Sequence, residues 1–226
     1  MKPQDVCVII PGYNEAKNIP RVVTAVKNLG FPVLVVDDGS KDDMAAQARL
    51  AGAHVFSYAP NEGKGAAIRR GIDWFLKKTS YQAVVFMDSD GQHDAADLPI
   101  FLKALENPEI DLVIGNRMNN PKGMPFVRRH TNVIMSALIS AAAGQKVPDT
   151  QCGYRAAKRE AIGRLQLESS RFEIESEMIL EAARTHSRIS SVPVRSVYEG
   201  GTSHIHPLRD TVRFFKFLFK YLACRK

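Results

Sequence analysis

Residues 84–93 read VVFMDSDGQH, an apolar run that is followed at once by polar groups. The run 83–87 is short and apolar, which predicts a buried strand. Asp88 and Asp90 then stand two residues apart, so both side chains lie on one side of an extended chain. Such like charges repel unless a cation joins them, and Mg²⁺ or Mn²⁺ binds carboxylates together with phosphate oxygens. We therefore predict a metal site at Asp88, Asp90 and Gln92; a solvated acidic turn is the alternative.

The same order of apolar run and polar loop recurs along the chain, with helical spacing between most of the runs. The other predicted strands are residues 6–10, 33–36, 54–57, 112–114 and 189–197. Strands that alternate with helices indicate an α/β fold with a mainly parallel, twisted sheet and helices on both faces. In such sheets ligands bind at the carboxyl ends of the strands, where the polar loops of this chain are expected to meet.

Two further loops carry residues suited to a nucleotide. Asp37 and Asp38 follow the second predicted strand, and their carboxylates can accept hydrogen bonds from a ribose hydroxyl or a base N–H. Lys64 stands between two glycines at the start of a predicted helix, where free N–H groups and a lysine suit an anion. A solvated turn is the alternative for the first loop. The second loop lacks the spacing of a P-loop.

Composition excludes several classes of protein. The 226 residues are 45% hydrophobic and 24% charged, which excludes disordered, collagen-like and coiled-coil chains. Three dispersed cysteines exclude a disulfide scaffold. The net charge is +7, but residues 208–226 hold six Lys and Arg against one Asp, or +5 of that total. The body is therefore close to neutral, and no nucleic-acid partner is predicted.

The C-terminal residues 208–223 predict a cationic amphipathic helix, about 24 Å long. We expect a main domain over residues 1–206 and this helix over 207–226. The helix either docks on the domain or lies on an anionic membrane surface. Residues 133–143 predict a buried core helix, with a helix that lies against a membrane or a partner subunit as the alternative. No window of 18 apolar residues predicts a membrane span. Whether the chain continues past residue 226 is left open.

The motifs together resemble glycosyltransferase family 2, which has the GT-A fold, and within it the dolichyl- or polyprenyl-phosphate sugar transferases. The resemblance covers residues 6 to about 205. It is carried, in chain order, by VIIPGYNEAKNI, VVDDGS, NEGKGAA, FMDSDGQH, IGNR, DTQCGYR and FEIESEMILEAA. It implies an inverting transfer of a hexose from a nucleotide-diphosphate sugar, of GDP-mannose or UDP-glucose type, to a polyprenyl phosphate or another membrane-associated acceptor.

The resemblance also implies a donor site and Mg²⁺ or Mn²⁺ bound at Asp88, Asp90 and Gln92. A metal would neutralise the charge that grows on the departing diphosphate. Arg117 would add a fixed positive charge on the phosphate side. The residues implied for nucleotide-sugar binding are Pro11, Tyr13, Glu15, Asp37, Asp38, Lys64, Asp88 and Ser89.

Asp149 occupies the position at which the family has a carboxylate near the acceptor. It would act as a general base on a hydroxyl acceptor, or orient an acceptor that is already anionic, such as a lipid phosphate. The candidates for acceptor binding are Arg128, Arg129, Arg155, Ser203 and His204. Family members often have arginine and lysine where this chain has Tyr198 and His204, a departure that bears on the acceptor and not on the donor.

Two other functions fit the same α/β pattern. A nucleotidyltransferase shares acidic metal loops, but residues 11–15 lack its glycine-rich basic cluster. A non-catalytic nucleotide-sugar-binding module requires a broken metal motif, whereas residues 88–92 are intact. We expect a cytoplasmic enzyme, peripheral on the cytoplasmic face of a membrane. The donor base, the sugar, the acceptor and the oligomeric state are left open.

Overall fold

The fold is built on one sheet, seen here in a computed structural model that describes residues 1–121, 123–195 and 207–224. Within those ranges the sheet has seven strands: β1 (Val6–Gly12), β2 (Val33–Asp38), β3 (His54–Tyr58), β4 (Ala83–Phe86), β5 (Leu112–Asn116), β6 (Arg155–Lys158) and β7 (Ile189–Pro193). The α-helices of the same ranges are α1 (Ile19–Asn28), α2 (Met44–Leu50), α3 (Lys64–Lys78), α4 (Leu98–Leu105), α5 (Phe126–Ala143), α6 (Arg159–Arg164), α7 (Ile174–Arg184) and α8 (Pro207–Cys224).

The strand order is β3-β2-β1-β4-β6-β5-β7, and the pairs are parallel except for those that β6 forms. The predicted mainly parallel α/β fold is therefore confirmed. The antiparallel β6 was not predicted, because its sequence RAAK is short and has none of the β-branched residues typical of a strand. It pairs with both β4 and β5 and joins the two parallel parts of the sheet.

Helices cover both faces of the sheet, as predicted. Helices α1 and α2 contact each other, whereas α3, α6 and α7 form a second mutually contacting group with α5 packed on α7. Helix α3 packs closely on β1 and β2 because Gly71 has no side chain. A Cβ at this position would stand 2.8 Å from Cγ2 of Ile9.

The predicted C-terminal helix is present as α8, and it docks on the domain by one side. Phe214 and Leu218 are buried in the main core, and the Tyr221 hydroxyl donates to Oε1 of Glu181 at 2.7 Å. The other side leaves Phe215 and Phe219 exposed. Within the described ranges, none of the helices combines the length and the apolarity needed to cross a bilayer.

The connections of the sheet gather the predicted site loops at one edge. The parallel strands β1, β2, β4 and β5 all end at this edge, so the loops after Gly12, Asp38, Phe86 and Asn116 meet there. Because β6 runs the opposite way, it begins at this edge and brings residues 149–154 to it. Helices α3 and α7 also begin here, which places Lys64 beside the N-terminal turn of α7.

Candidate active site

A buried lysine bridges two carboxylates at the centre of this edge. The Lys64 ammonium lies 2.6 Å from Oδ1 of Asp88 and 2.7 Å from Oε1 of Glu175. Burial opposes its charge, but the two carboxylates outweigh burial and raise the pKa of Lys64 above its ordinary value. Burial likewise opposes ionisation of Asp88, yet Lys64 holds the pKa of that carboxyl well below its usual range. Both groups are therefore charged at neutral pH.

Asp90 is the acid of this loop that lacks such compensation. Burial, with the negative charge of Asp88 added to it, raises the pKa of Asp90. One of its oxygens accepts a hydrogen bond from the N–H of Gln92 at 2.9 Å, and Ser89 is buried between the two acids. A carboxylate destabilised by a second carboxylate is what a divalent cation relieves, so this donor set fits the predicted metal.

In the part of the chain that the structure describes, no group of three acidic, histidine or cysteine side chains is arranged to hold a metal ion. The protein ligands on offer are therefore the carboxylates of Asp88 and Asp90 and the amide of Gln92. Mg²⁺ in nucleotide sites is commonly held in this way, by one or two carboxylates with phosphate oxygens completing its shell. Such a site needs its nucleotide for completion.

His93 and Gly153 support Asp88 from the other side and were not predicted. The Asp88 N–H donates to Nδ1 of His93 at 3.2 Å, and the imidazole stacks on Tyr154. Burial lowers the pKa of His93 although two acids lie nearby. A Cβ on Gly153 would stand 2.7 Å from Oδ2 of Asp88, so only glycine fits here. The motifs FMDSDGQH and DTQCGYR contain these residues, but their contacts depend on the tertiary fold.

Arg117 and Asp149, the two predicted catalytic residues, form a buried ion pair. Oδ2 of Asp149 accepts from the Arg117 N–H at 3.0 Å and from Nε at 2.8 Å, while Oδ1 accepts from Nη2 at 2.9 Å. Nδ2 of Asn132 also donates to Oδ1, at 2.7 Å. Burial opposes the charge of Asp149, but the bonds and charge of Arg117 hold the pKa of the carboxyl below its ordinary value. Four donors fill its acceptor positions.

The Asp38 carboxylate also accepts hydrogen bonds from within the protein. Its carboxylate accepts from the N–H groups of Glu62 and Gly63, both at 2.8 Å, and from Nδ2 of Asn61. It therefore fixes the loop that leads into α3. Asp37 accepts one bond from the N–H of Ser40 at 2.9 Å and is otherwise available, although it is buried. Of the two predicted nucleotide-binding acids, Asp37 is the better placed for a ligand.

The predicted donor residues after β1 line the mouth of the same edge. Pro11 is buried at the end of β1, and Tyr13 is 39% exposed beyond it. Glu15 accepts a hydrogen bond from Nδ2 of Asn18 at 2.7 Å. The loop is tied to the one after β2, because the N–H of Asn14 donates to Ser40 at 2.9 Å. The loop that carries Tyr13 is thus held against the loop that follows Asp37, and Gly12 is the register partner of Asp37 in the sheet.

The glycines around Lys64 lie against the segment that precedes α7. The N–H of Ala66, in the first turn of α3, donates to the carbonyl of Ser170 at 3.1 Å. A Cβ on Gly65 would stand 2.5 Å from the carbonyl oxygen of Ser169, and one on Gly63 would be as close to Ser170. The missing side chains of these glycines leave room for the segment before α7. Glu175, in the first turn of α7, thereby contacts Lys64.

The structure revises one of the predicted acceptor-binding residues. Arg155 is almost fully buried, and its guanidinium donates to the carbonyls of Thr150, Cys152 and Glu175, so it fastens the segment after Asp149 to the start of α7. Arg128 and Arg129 lie in the first turn of α5, with Arg129 exposed. Ser203 and His204, like Tyr198, lie outside the described residues.

The sequence profile of glycosyl transferase family 2 matches residues 7–165. This match spans most of the sheet and every acidic loop described above. The chain belongs to glycosyl transferase family 2. The predicted family is thereby confirmed, and so is the GT-A fold on the evidence of solved structures.

Two relatives of this chain are named as sugar transferases. The glycosyltransferase AglJ of Haloferax volcanii is 34% identical over 96% of this chain and 72% of its own length. A UDP-N-acetylglucosamine–dolichyl-phosphate N-acetylglucosaminyltransferase of Methanococcus voltae is 29% identical over 84% of this chain and 85% of its own.

Among solved structures, the glucosyl-3-phosphoglycerate synthase of Mycobacterium tuberculosis superimposes with a TM-score of 0.73. The match covers 96% of this chain and 76% of that one, at 24% identity. That structure contains Mn²⁺, UDP and phosphoglyceric acid. At this level of identity the likeness establishes the shared fold.

The buried pair predicts a pH-dependent stability difference. Asp149→Asn leaves Arg117 without its charge partner, so it is expected to lower the free energy of unfolding by about 3–5 kcal/mol at pH 7. Because the folded state lowers the pKa of Asp149, the wild-type advantage is present above the ordinary value of 3.8 and is lost as the pH falls through the folded value. Urea unfolding across this pH range measures the difference.

Glu109→Gln provides the control for this experiment. It breaks the exposed pair of Glu109 with Arg188, which are 3.0 Å apart, and should cost less than about 1 kcal/mol. If Asp149→Asn is as stable as wild type at pH 7, the claim that the Arg117–Asp149 ion pair contributes to the free energy of unfolding is wrong.

Proposed function

We propose that this family 2 enzyme transfers a hexose from a nucleoside-diphosphate sugar to a polyprenyl phosphate, with Mg²⁺ or Mn²⁺ at Asp88, Asp90 and Gln92. The observation that carries the proposal is the pair of carboxylates in one loop: Lys64 pairs with Asp88, whereas Asp90 has a raised pKa and, within the described residues, no ion pair with a lysine. The family and the relatives that act on dolichyl phosphate support the same reading.

The chain's own residues would bind and orient the donor. Tyr13, exposed in the loop after β1, and Asp37 at the end of β2 would hold the base and ribose, and Lys64 lies where a diphosphate would meet Asp88. When bound, the metal supplies positive charge to the departing diphosphate as a Lewis acid. Arg117, held rigidly by Asp149, adds a fixed positive charge that acts on the same loop.

The saturation of Asp149 favours a phosphate as the acceptor. A hydroxyl acceptor needs a base to take its proton, and Asp149 has a lowered pKa and four donors around it. A phosphate acceptor is already anionic at neutral pH, so its oxygen attacks without a base. We therefore assign Asp149 the task of positioning Arg117, in place of general-base catalysis.

We also propose that the enzyme sits peripherally on an anionic membrane, where its lipid acceptor resides. The undocked side of α8 shows Phe215, Phe219 and Leu222 to solvent, with Lys216 and Lys220 exposed beside them. This combination of exposed apolar rings and cations suits a lipid headgroup region. The exposed apolar residues of α5 add to the same tendency; they are Phe126, Val127, Val133, Ile134 and Leu138.

Transfer assays test the catalytic proposal. Wild-type protein is incubated with Mn²⁺, polyprenyl phosphate and labelled GDP-mannose, UDP-glucose or UDP-N-acetylglucosamine, and the lipid extract is counted. Asp90→Asn should reduce transfer by roughly a hundredfold or more, since metal stabilisation of the leaving group contributes several kcal/mol. Asp73→Asn, an exposed acid on α3, is the folded control and should keep wild-type turnover.

Full activity of Asp90→Asn would refute the metal role of this loop. In a parallel assay phosphoglyceric acid is added as the acceptor. If label appears only on this water-soluble phosphate ester and not in the lipid extract, the acceptor is soluble and the lipid proposal is wrong. Transfer to a hydroxyl acceptor by wild-type protein, lost in Asp149→Asn at unchanged fold, would restore Asp149 as a base.

Co-sedimentation with liposomes tests the membrane proposal. Phe219→Glu places a charge at a ring that is 78% exposed on α8 and should lower pelleting with anionic vesicles at least about threefold. Leu50→Glu is the matched control, because Leu50 is 81% exposed on α2. If both variants pellet like wild type, α8 is not the membrane contact.

A further inference from the structure

We propose that Lys64 makes metal entry depend on the donor: it neutralises Asp88 while the site is without nucleotide and passes to the diphosphate when the donor binds. Lys64 is then a positioning residue, held in reserve by Glu175. This inference rests on the proposed function and adds an order of binding to it.

The first support is competition for one oxygen. The ammonium stands 2.6 Å from Oδ1 of Asp88, a charge-assisted contact on the carboxylate that the metal also needs. A dication at that carboxylate would face the ammonium at close range, and at such range in a partly buried site the repulsion is strong. While Lys64 contacts Asp88, a divalent cation is therefore expected to bind weakly in the absence of nucleotide.

The second support is that groups other than Asp88 hold the Lys64 side chain near the metal loop. Glu175 binds the same ammonium at 2.7 Å, and the segment before α7 presses on the backbone at Gly63 and Gly65. Gly153 closes the other side, since a Cβ there would stand 3.0 Å from Nζ. The side chain is thus kept at the metal loop even when Asp88 is taken from it.

The third support is charge balance. Asp88, Asp90 and Glu175 carry three negative charges against one on Lys64, so the site attracts a cation but repels a diphosphate. A diphosphate brings anionic oxygens for the ammonium, and the metal then takes over Asp88. Each ligand removes the obstacle to the other, which is positive coupling between the two sites.

Isothermal titration measures this coupling without any turnover. Mn²⁺ is titrated into wild-type protein alone and in the presence of saturating GDP or UDP, and the ratio of the two dissociation constants is the coupling factor. We expect wild type to show a factor of roughly 5–150, the usual range for linked sites. Lys64→Met should bind Mn²⁺ alone roughly tenfold more tightly, and its coupling factor should fall below the wild-type value while staying above one, because the phosphate oxygens still bind the metal.

Glu175→Gln is the second variant, and its effect should have the opposite sign. It leaves Asp88 as the sole acid on Lys64, so Mn²⁺ alone should bind several times more weakly while the coupling factor stays at or above the wild-type value. A merely structural role would weaken Mn²⁺ binding in both variants. Lys77→Met, an exposed lysine on the same helix, should match wild type throughout.

The outcomes separate this inference from the function beneath it. If wild type shows coupling and Lys64→Met keeps the same factor, the transfer of Lys64 to the diphosphate is wrong, even if Mn²⁺ alone binds more tightly. If Lys64→Met does not fold, the coupling factor of Glu175→Gln decides, and a factor below the wild-type value would contradict the inference. If wild type binds no Mn²⁺ with either nucleotide, the metal-dependent function itself fails.

Discussion

Negative charge that must be neutralised organises this protein. The carboxyl edge of the sheet brings Asp88, Asp90, Glu175 and Asp149 together in a largely buried place, where an unpaired charge is costly. Lys64 on α3 pairs with Asp88 and Glu175, and Arg117 after β5 pairs with Asp149. Within the described residues, Asp90 is the acid of this group that has no ion pair, and its pKa is raised. In the function that we propose, this remaining negative charge binds a metal cation and, through the cation, an anionic donor.

The unusual strand of the sheet creates this concentration of charge. Because β6 runs antiparallel between β4 and β5, the segment before it returns to the carboxyl edge and places Asp149 under the residue that follows β5. The same turn brings Gly153 onto Asp88, and Arg155 then ties the segment to the start of α7. Residues of the candidate active site and residues that hold the fold together therefore lie within a few positions of one another in the sequence.

Local patterns were enough to predict the parallel strands and the acidic loops. Runs such as residues 83–87 are apolar and end in polar residues, so periodicity and loop composition reveal them. The partners of these loops could not be predicted in this way. Lys64 and Glu175 are 111 positions apart, and only the packing of α7 on α3 joins them. The hydrogen bonds that Asp38 and Asp149 accept likewise include backbone N–H groups, which carry no sequence signal.

The central claim is that a metal and a diphosphate meet at the loop after β4. Anomalous diffraction from a crystal grown with Mn²⁺ and a nucleoside diphosphate tests it most directly. The account predicts a manganese peak within coordinating distance of Asp90 and the diphosphate, with the Lys64 ammonium turned from Asp88 to a phosphate oxygen. A nucleotide bound at this edge without manganese beside Asp90, or manganese bound only elsewhere, would contradict it.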